Sequence, residues 1–513
     1  MSDPVRNEEI KHSNEPQVDW FIFSMGTLLL LAVVIPIVFA PQWSENIIAL
    51  AFSFITVQFG AWYVVAATGI FIFLVSIALS KKGGLKLGPA DGEPEYSKFS
   101  WASMLFCTGI GASLVYWGAT EWTFYYDAPP FSVEPRSDEA IIWAASYGMY
   151  HWGPLAWALY CLPTVAFCLS YHHKGASILR LSAACSGVLG SYADRWPGRI
   201  IDLLFIVGLL GTAATGLAFG VELVTSAITQ VSSLPDDYRT QLGVMFVVTL
   251  LIAFSVYRGL DKGIKVLSQV NAVMALSLIA FVLLVGPTRF IVEMGTVSVG
   301  HIAQNFFKML SWTDPLERDS FIENWTVFYW AWWIALGPFV GMFVAKISRG
   351  RTLRQVIWGM LGWGSFGCAI FFIVLGNYAL HLELNNIYPV VQHVNEFSPS
   401  SAIAAIIERL PFGSFLLVYL AVIGIIFAAT TYDSATYTLA AGSTRYLKPD
   451  QHPSRWHRVY WALTLGMLPS VLLFIGGLRP LQTASIVASL PLLVVYVLMI
   501  FSIRKMLDDK NQA

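Results

Sequence analysis

Charged residues are scarce in this sequence of 513 residues. Asp, Glu, Lys and Arg together make up 12% of the chain, whereas hydrophobic residues make up 56%. A soluble domain needs more charge than this to cover its surface, so the composition predicts a protein that has lipid as its solvent. The apolar runs are continuous rather than alternating, which excludes a transmembrane β-barrel and predicts an all-α integral membrane protein.

Several other absences narrow the function. The sequence has no P-loop and no soluble nucleotide-binding domain, so ATP is not expected to be the direct energy source. Neither a cofactor nor a nucleic-acid partner is expected. A cleavable signal peptide is not expected either, because a polar stretch precedes a first apolar run that is long enough to span. The cysteines show no metal-ligand spacing and are interpreted as small buried residues: Cys107, Cys161, Cys168, Cys185 and Cys368.

Long apolar segments are what the sequence has in abundance. A bilayer core requires roughly 20 apolar residues per helix, and several of these segments are longer, which predicts tilt or a break inside the helix. About twelve segments qualify, near residues 20–40, 56–80, 100–126, 139–171, 199–231, 241–257, 266–287, 324–346, 355–379, 411–443, 458–477 and 482–503.

Basic residues are unevenly distributed over the connections between these segments. Of the 31 Lys and Arg residues, about 24 fall in one set of alternate connections and about 7 in the other. By the positive-inside rule, both termini are expected in the cytoplasm, which requires an even number of spans. We therefore expect a multi-pass protein of a bacterial inner (plasma) membrane.

Two of the segments contain residues that interrupt helices. The third has Gly109 and Gly111 at its middle, and the eighth has Gly337 followed by Pro338. Broken helices at corresponding places in two halves indicate a midplane substrate site, although glycines also form small-residue packing faces between membrane helices. The two segments are five apart, which predicts two inverted five-helix repeats preceded by two extra helices.

The chain is therefore predicted to have six parts. They are a cytoplasmic N-terminal tail (1–19), the two extra helices with a cytoplasmic loop (20–98), the first repeat (99–287), an amphipathic interfacial helix (288–312), the second repeat (313–503) and a short cytoplasmic tail (504–513).

Tryptophan is abundant, with 19 residues that occur in clusters. Aromatic belts at the membrane interface account for some of them, but Trp157, Tyr160 and Trp333 lie a turn or more inside their spans. Aromatic ring faces attract quaternary ammonium groups, which cannot donate ordinary hydrogen bonds. Buried packing and an aromatic cage for such a cation are the two interpretations of these residues.

Acidic residues inside the spans are few. Glu121 lies in the third segment, and Asp433 lies in the tenth among hydroxyl residues that include Thr430 and Thr431. Intramembrane carboxylates commonly belong to ion or proton pathways. Hydroxyl oxygens suit a hard cation such as sodium, but they also bond to carbonyls of their own helix.

The run NWTVFYWAWW at 324–333, followed by AKISRGRT at 345–352, resembles the betaine/choline/carnitine transporter family. The resemblance covers about residues 55–505. It implies a leucine-transporter-like fold of twelve helices with a 5+5 inverted repeat, usually assembled as a homotrimer. It also implies secondary transport by alternating access.

The resemblance carries a substrate site onto this chain. The implied aromatic box is Trp152, Trp157, Tyr160 and Trp333, and Trp332 is implied to line the inward route from it. Leu336 departs from the tryptophan or tyrosine that some members have one turn later.

The glycine stretch that contains Gly109, Gly111 and Ser113 is also implied to contact substrate, and it lacks the aspartate of choline-carrying members. A zwitterion such as glycine betaine or carnitine is therefore expected rather than choline.

Coupling is implied in the same way. The residues that match the main sodium site are Phe427, Thr430 and Thr431, and a second site would use Thr212, Thr215 and Phe339. Sodium-independent exchangers have arginine and methionine where this chain has Asn271 and Val340, so sodium symport is expected. The alternatives are sodium-independent exchange of carnitine for a betaine, an integral-membrane enzyme and a channel.

Overall fold

The computed structural model describes residues 16–510 apart from 90, 175–179, 260, 317, 446, 448–450 and 477. Most of the predicted N-terminal tail, residues 1–15, lies outside the described residues. The longer helices are α1 (Trp20–Phe39), α2 (Pro41–Leu79), α3 (Lys98–Thr108), α4 (Ala112–Asp127), α5 (Asp138–His151), α6 (Pro154–Lys174), α7 (Trp196–Val231), α8 (Tyr238–Arg258), α9 (Asp261–Val285), α10 (Thr288–Ser311), α11 (Val327–Ile347), α12 (Leu353–Leu384), α13 (Val390–Glu396), α14 (Pro399–Glu408), α15 (Gly413–Gly442), α16 (Arg455–Ile475) and α17 (Leu478–Lys510).

The fold is that of a multi-pass membrane protein. Among the described residues, eleven helical segments are long and apolar enough to cross a bilayer when α5 and α6 are counted as one, and α3 with α4 makes a twelfth span that is bent by 60°. The predicted all-α fold with about twelve membrane-spanning helices is therefore confirmed. The inverted repeat and the boundaries of the six parts stay predictions. Helix α10 occupies the segment predicted to be interfacial, and α17 continues through the predicted C-terminal tail as far as Lys510.

The break between α3 and α4 lies at the predicted glycines. Gly109 is the C-cap residue that follows α3, and Gly111 has an extended backbone (φ −151°, ψ 176°) before α4 begins. A Cβ atom added to Gly109 would lie 2.8 Å from the Trp157 ring, so only glycine allows the chain to approach α6 this closely. A Cβ added to Gly111 would meet no atom within 4 Å. The two glycines therefore play different roles in one bend.

The predicted interruption at Gly337 and Pro338 is wrong. Helix α11 runs through both residues without a break, and a single wide turn, Ile322–Thr326, precedes it. A Cβ added to Gly337 would lie 2.1 Å from the Tyr496 hydroxyl oxygen, and that hydroxyl donates a hydrogen bond to the Leu159 carbonyl. Gly337 therefore lets α6, α11 and α17 pack closely instead of unwinding α11.

Ion pairs gather the helix ends at one side of the bundle. Lys82, after α2, lies 2.5 Å from Asp508 near the end of α17. Asp19, before α1, lies 2.5 Å from Arg199 and 3.7 Å from Arg180. Gly187, which lies between Arg180 and Arg199 in the sequence, donates its backbone N–H to the Ser502 hydroxyl of α17 at 2.9 Å. The start of α1 and the end of α17 therefore lie on the same side, as an even number of spans requires.

Candidate binding site

A cavity of about 140 Å³ lies at the break between α3 and α4. Its wall also includes residues of α6, α7, α11, α12 and α15. Twelve of the fourteen residues predicted for substrate or ion binding line it: Gly109, Gly111, Ser113, Trp152, Trp157, Tyr160, Thr212, Trp332, Trp333, Phe339, Phe427 and Thr431. Thr215 and Thr430 lie outside this wall. Residues far apart in the sequence thus meet at one place inside the bundle.

Four aromatic rings form a continuous part of the wall. The Trp333 ring lies 4.8 Å from Trp152 and 5.4 Å from Tyr160, with interplanar angles of 76° and 85°. The Trp157 ring lies 5.5 Å from Tyr160, again nearly perpendicular. All four side chains are buried. Perpendicular rings around one space present faces on several sides, which is the arrangement that an aromatic cage requires.

Trp332 lies beside this cage. Its ring is parallel to that of Trp333, with centroids 5.3 Å apart, and it also contacts Phe219 and Phe328. Its indole nitrogen is buried and has no hydrogen-bond acceptor among the described residues. Trp332 therefore lines the cavity with a buried indole N–H that is unpaired among the described residues. The inward route assigned to Trp332 stays a prediction.

Polar groups converge on another part of the wall, near Gly216. A Cβ added to Gly216 would lie 2.7 Å from the Tyr432 hydroxyl and 3.4 Å from the Ser113 hydroxyl. Gly111 is the residue before the first turn of α4, whose leading backbone N–H groups have no partner within the helix and carry partial positive charge. This part of the cavity can accept a carboxylate.

The wall also includes residues that the sequence did not single out. Tyr432 and Cys368 both line the cavity. Tyr432 directly follows the threonine pair of the predicted ion site. This adjacency is the only feature of the sequence by which its place in the cavity wall could have been predicted. Cys368 was interpreted from the sequence only as a small buried residue, and nothing in its local sequence separates it from the other buried cysteines. Leu336 lines the cavity where some members of the resembled family have a larger aromatic residue.

A second layer of polar groups holds two of the cage rings from behind. The Trp152 indole N–H donates to a carboxylate oxygen of Glu121 at 3.1 Å, and the Trp333 indole N–H donates to the His151 backbone carbonyl at 2.9 Å. Tyr329 and Tyr125 also donate to the Glu121 carboxylate, at 2.5 and 2.6 Å. Glu121 and His151 are both fully buried. The cage orientation is thus tied to α4 and to the end of α5.

The predicted ion ligands fall into two groups. The Thr430, Thr212 and Thr215 hydroxyls donate to carbonyls of their own helices, at 2.8, 2.8 and 3.0 Å. Within the described part of the chain, the Thr431 hydroxyl makes no hydrogen bond, and Thr431 faces the cavity together with Phe427. Across the cavity, α3 ends at Thr108, where the last carbonyls of a helix carry partial negative charge.

Asn271 and Asp433 lie outside the cavity wall. The Asn271 amide donates to the Ile423 carbonyl of α15 at 3.2 Å, one turn from Phe427. Val340 lines the cavity. Neither Asn271 nor Val340 carries a positive charge that could replace a cation. Asp433 is buried on α15 but is not part of the cavity wall.

Comparison with known proteins identifies the family. The model of the betaine/carnitine/choline family transporters matches residues 21–512. The chain is 37% identical to an uncharacterised transporter, YeaV, of Escherichia coli K12, over 84% of this chain and 89% of that protein. It is 34% identical to a carnitine transporter of Acinetobacter baumannii, over 85% of this chain and 79% of that protein.

A third relative covers almost the full length. It is the glycine betaine transporter OpuD of Bacillus subtilis, which is 33% identical over 98% of this chain and 96% of that protein. The matching family and these relatives are transporters rather than enzymes. This chain belongs to the betaine/carnitine/choline transporter family.

Proposed function

We propose that this protein is a secondary active transporter for small quaternary-ammonium zwitterions, with glycine betaine, carnitine or a close relative as substrate and sodium as the coupling ion. The observation that carries the proposal is the cage, in which Trp333 contacts both Trp152 and Tyr160 inside a cavity at a broken helix. A trimethylammonium group held between such rings gains about 2 kcal/mol once it is desolvated. The carnitine and glycine betaine transporters among the relatives agree with this class of substrate.

The rest of the cavity suits the other end of a zwitterion. The N-terminus of α4 and the hydroxyls of Ser113 and Tyr432 offer hydrogen-bond donors to a carboxylate. The glycine stretch carries no acid, so nothing in it repels the substrate carboxylate or pairs with a lone cation. A zwitterion is therefore favoured over choline.

Sodium coupling is supported by the geometry on the α3 side of the break. The carbonyls at the end of α3 and the free Thr431 hydroxyl lie on one cavity, which gives a hard cation oxygen ligands from two helices. A zwitterion has no net charge, so the membrane potential does no work on it. One sodium ion would contribute about 2.3 kcal/mol per 100 mV of potential. Sodium-independent exchange remains the alternative.

Two measurements test the proposal. Titration of the tryptophan fluorescence with glycine betaine, carnitine, choline and dimethylsulfoniopropionate should give saturable binding of the zwitterions and weaker binding of choline. No response to any of them would overturn the substrate class. Uptake into proteoliposomes should collapse when potassium replaces sodium, and undiminished uptake would favour the exchanger.

The assembly and orientation are proposed with the function. A homotrimer in the bacterial inner membrane is the assembly that the resemblance to the family implies. Cytoplasmic placement of both termini agrees with the common side of the two chain ends. Reporter fusions at each terminus and the mass of the purified detergent complex test these two points. A terminus exposed outside the cytoplasm, or a monomeric complex, would contradict them.

A further inference from the structure

The Glu121 carboxylate is a buried charge that the proposed mechanism leaves unused. It accepts hydrogen bonds from Trp152, Tyr329 and Tyr125, which belong to different parts of the bundle. Both of its oxygens act as acceptors, as those of an ionised carboxylate do. Glu121 does not line the cavity, whereas Trp152 does and donates its N–H to Glu121, so the Trp152 ring connects this charge to the cavity.

We propose that Glu121 is a positioning and specificity residue that acts through Trp152 to strengthen the attraction of the cage for a substrate cation. This inference rests on the proposed function. A carboxylate that accepts an indole N–H draws the proton toward itself and pushes electron density into the ring. The attraction between a cation and a ring face is electrostatic, so a more electron-rich Trp152 holds a quaternary ammonium group more tightly. Burial preserves the effect, because few mobile dipoles screen it.

The position of Glu121 behind the Trp152 ring also determines which end of the substrate it stabilises. A carboxylate in the cavity wall would repel the substrate carboxylate directly. Glu121 instead reaches the ligand only through an aromatic face, which favours the cationic head group. The cage thus gains a negative bias without an acidic group on its surface, and it discriminates a trimethylammonium group from a neutral group of the same shape.

Other polar groups surround Glu121 on the elements packed against it. His151 of α5 lies 3.7 Å from the carboxylate through Nδ1, and this nitrogen also lies 2.9 Å from the Tyr125 hydroxyl. Its Nε2 lies 3.1 Å from the Thr326 hydroxyl. The Tyr125 proton points to Glu121, so Nδ1 acts as the donor to Tyr125. His151 thereby holds the Tyr125 hydroxyl in the orientation in which it donates to Glu121. The hydrogen bonds from Trp152, Tyr329 and Tyr125 to Glu121 are all kept.

A double-mutant cycle tests the route through Trp152. Glu121→Gln removes the charge at nearly constant size, and Trp152→Phe keeps a ring but removes the N–H that Glu121 accepts. Glu121→Gln should weaken glycine betaine binding about ten-fold in the wild-type background and less than about three-fold in the Trp152→Phe background. An equal loss in both backgrounds would overturn the proposal.

The ligand pair tests the specificity. The carbon isostere of glycine betaine, 3,3-dimethylbutanoate, has a tert-butyl group in place of the trimethylammonium group. Its binding should change less than about two-fold in Glu121→Gln, whereas a parallel loss for both ligands would indicate a merely structural role. Glu222→Gln is the matched control, since Glu222 accepts from Tyr116 at 3.4 Å and does not line the cavity.

The remaining outcomes are also decisive. If Glu121→Gln does not yield folded protein, Glu121→Asp takes its place, because the shorter side chain withdraws the carboxylate from the Trp152 N–H, and it must weaken glycine betaine more than the isostere. Equal weakening of both ligands would overturn the proposal. Failure of the wild-type protein to bind any quaternary ammonium compound would contradict the proposed function itself. Normal binding by the wild type and by Glu121→Gln would contradict only this inference.

Discussion

The Trp333 indole N–H donates a hydrogen bond to the His151 backbone carbonyl at 2.9 Å. This bond joins α11 to the end of α5, next to Trp152, and thus sets the angle between the two cage rings that lie 4.8 Å apart. The cage is consequently a product of two helix positions, and its fit depends on both the Trp333 ring and its N–H.

Removal of the Trp333 ring should abolish tight binding. Trp333→Leu loses a ring face worth about 2 kcal/mol to a desolvated cation, which corresponds to a roughly 30-fold weaker affinity for glycine betaine. Trp333→Phe keeps a smaller ring without the N–H, so its affinity should lie between those of the wild type and Trp333→Leu. Isothermal titration of purified protein measures both. Trp358→Leu is the control. Trp358 is exposed on α12, so this variant should bind glycine betaine with the wild-type affinity. Unchanged affinity in Trp333→Leu would contradict the aromatic cage.

The two glycines at the helix break should respond differently to alanine. Gly109→Ala places a Cβ 2.8 Å from the Trp157 ring and 2.9 Å from the Cys368 sulfur, and overpacking of this kind costs about 1–3 kcal/mol. The thermal midpoint in detergent should fall, and binding should weaken because Trp157 must shift. Gly111→Ala has free space around its Cβ and should keep the wild-type midpoint. Equal stability of the two variants would show that the close contact is not maintained.

The buried acid before α1 should matter more than the exposed acid at the end of α17. Asp19→Asn keeps the helix N-cap but removes the charge that lies 2.5 Å from Arg199, so it should destabilise the protein by about 3 kcal/mol. Asp508→Asn breaks the pair with Lys82. The side chains of Lys82 and Asp508 are 35% and 63% exposed, respectively. Exposed pairs contribute little, so this matched variant should keep the wild-type thermal midpoint. A similar midpoint for both variants would contradict the role of Asp19.

The cage rings were predictable, whereas the groups that orient them were not. Two signals in the sequence indicated the cage residues Trp152, Trp157, Tyr160 and Trp333. Aromatic belts at the membrane interface do not account for aromatic residues well inside a span, and the run at 324–333 resembles the family. Glu121 was visible as an intramembrane acid, but its donors come from α4, α11 and the α5–α6 junction, and no local pattern records such contacts.

Backbone effects were harder to predict than side-chain chemistry. The sequence could not separate Gly109, which packs against α6, from Gly111, which borders open space. The predicted break at Pro338 is wrong for a related reason. A proline removes one helical hydrogen bond, but tight packing of α6 and α17 around Gly337 keeps α11 helical. Tertiary contacts decide which glycine and which proline break a helix.

Thr431 should set the sodium dependence of uptake. Its hydroxyl faces the cavity without a hydrogen-bond partner among the described residues, whereas the Thr430 hydroxyl donates to the Ile426 carbonyl at 2.8 Å. Thr431→Val removes one oxygen at constant shape and should raise the half-saturating sodium concentration about ten-fold. Thr438→Val is the matched control, because the Thr438 hydroxyl donates to the Ser434 carbonyl and lies outside the cavity wall. Uptake measured in proteoliposomes over a range of sodium concentrations separates the two. A sodium curve in Thr431→Val that coincides with the wild-type curve would remove Thr431 from the ion site, since a lost ligand must weaken the ion it binds.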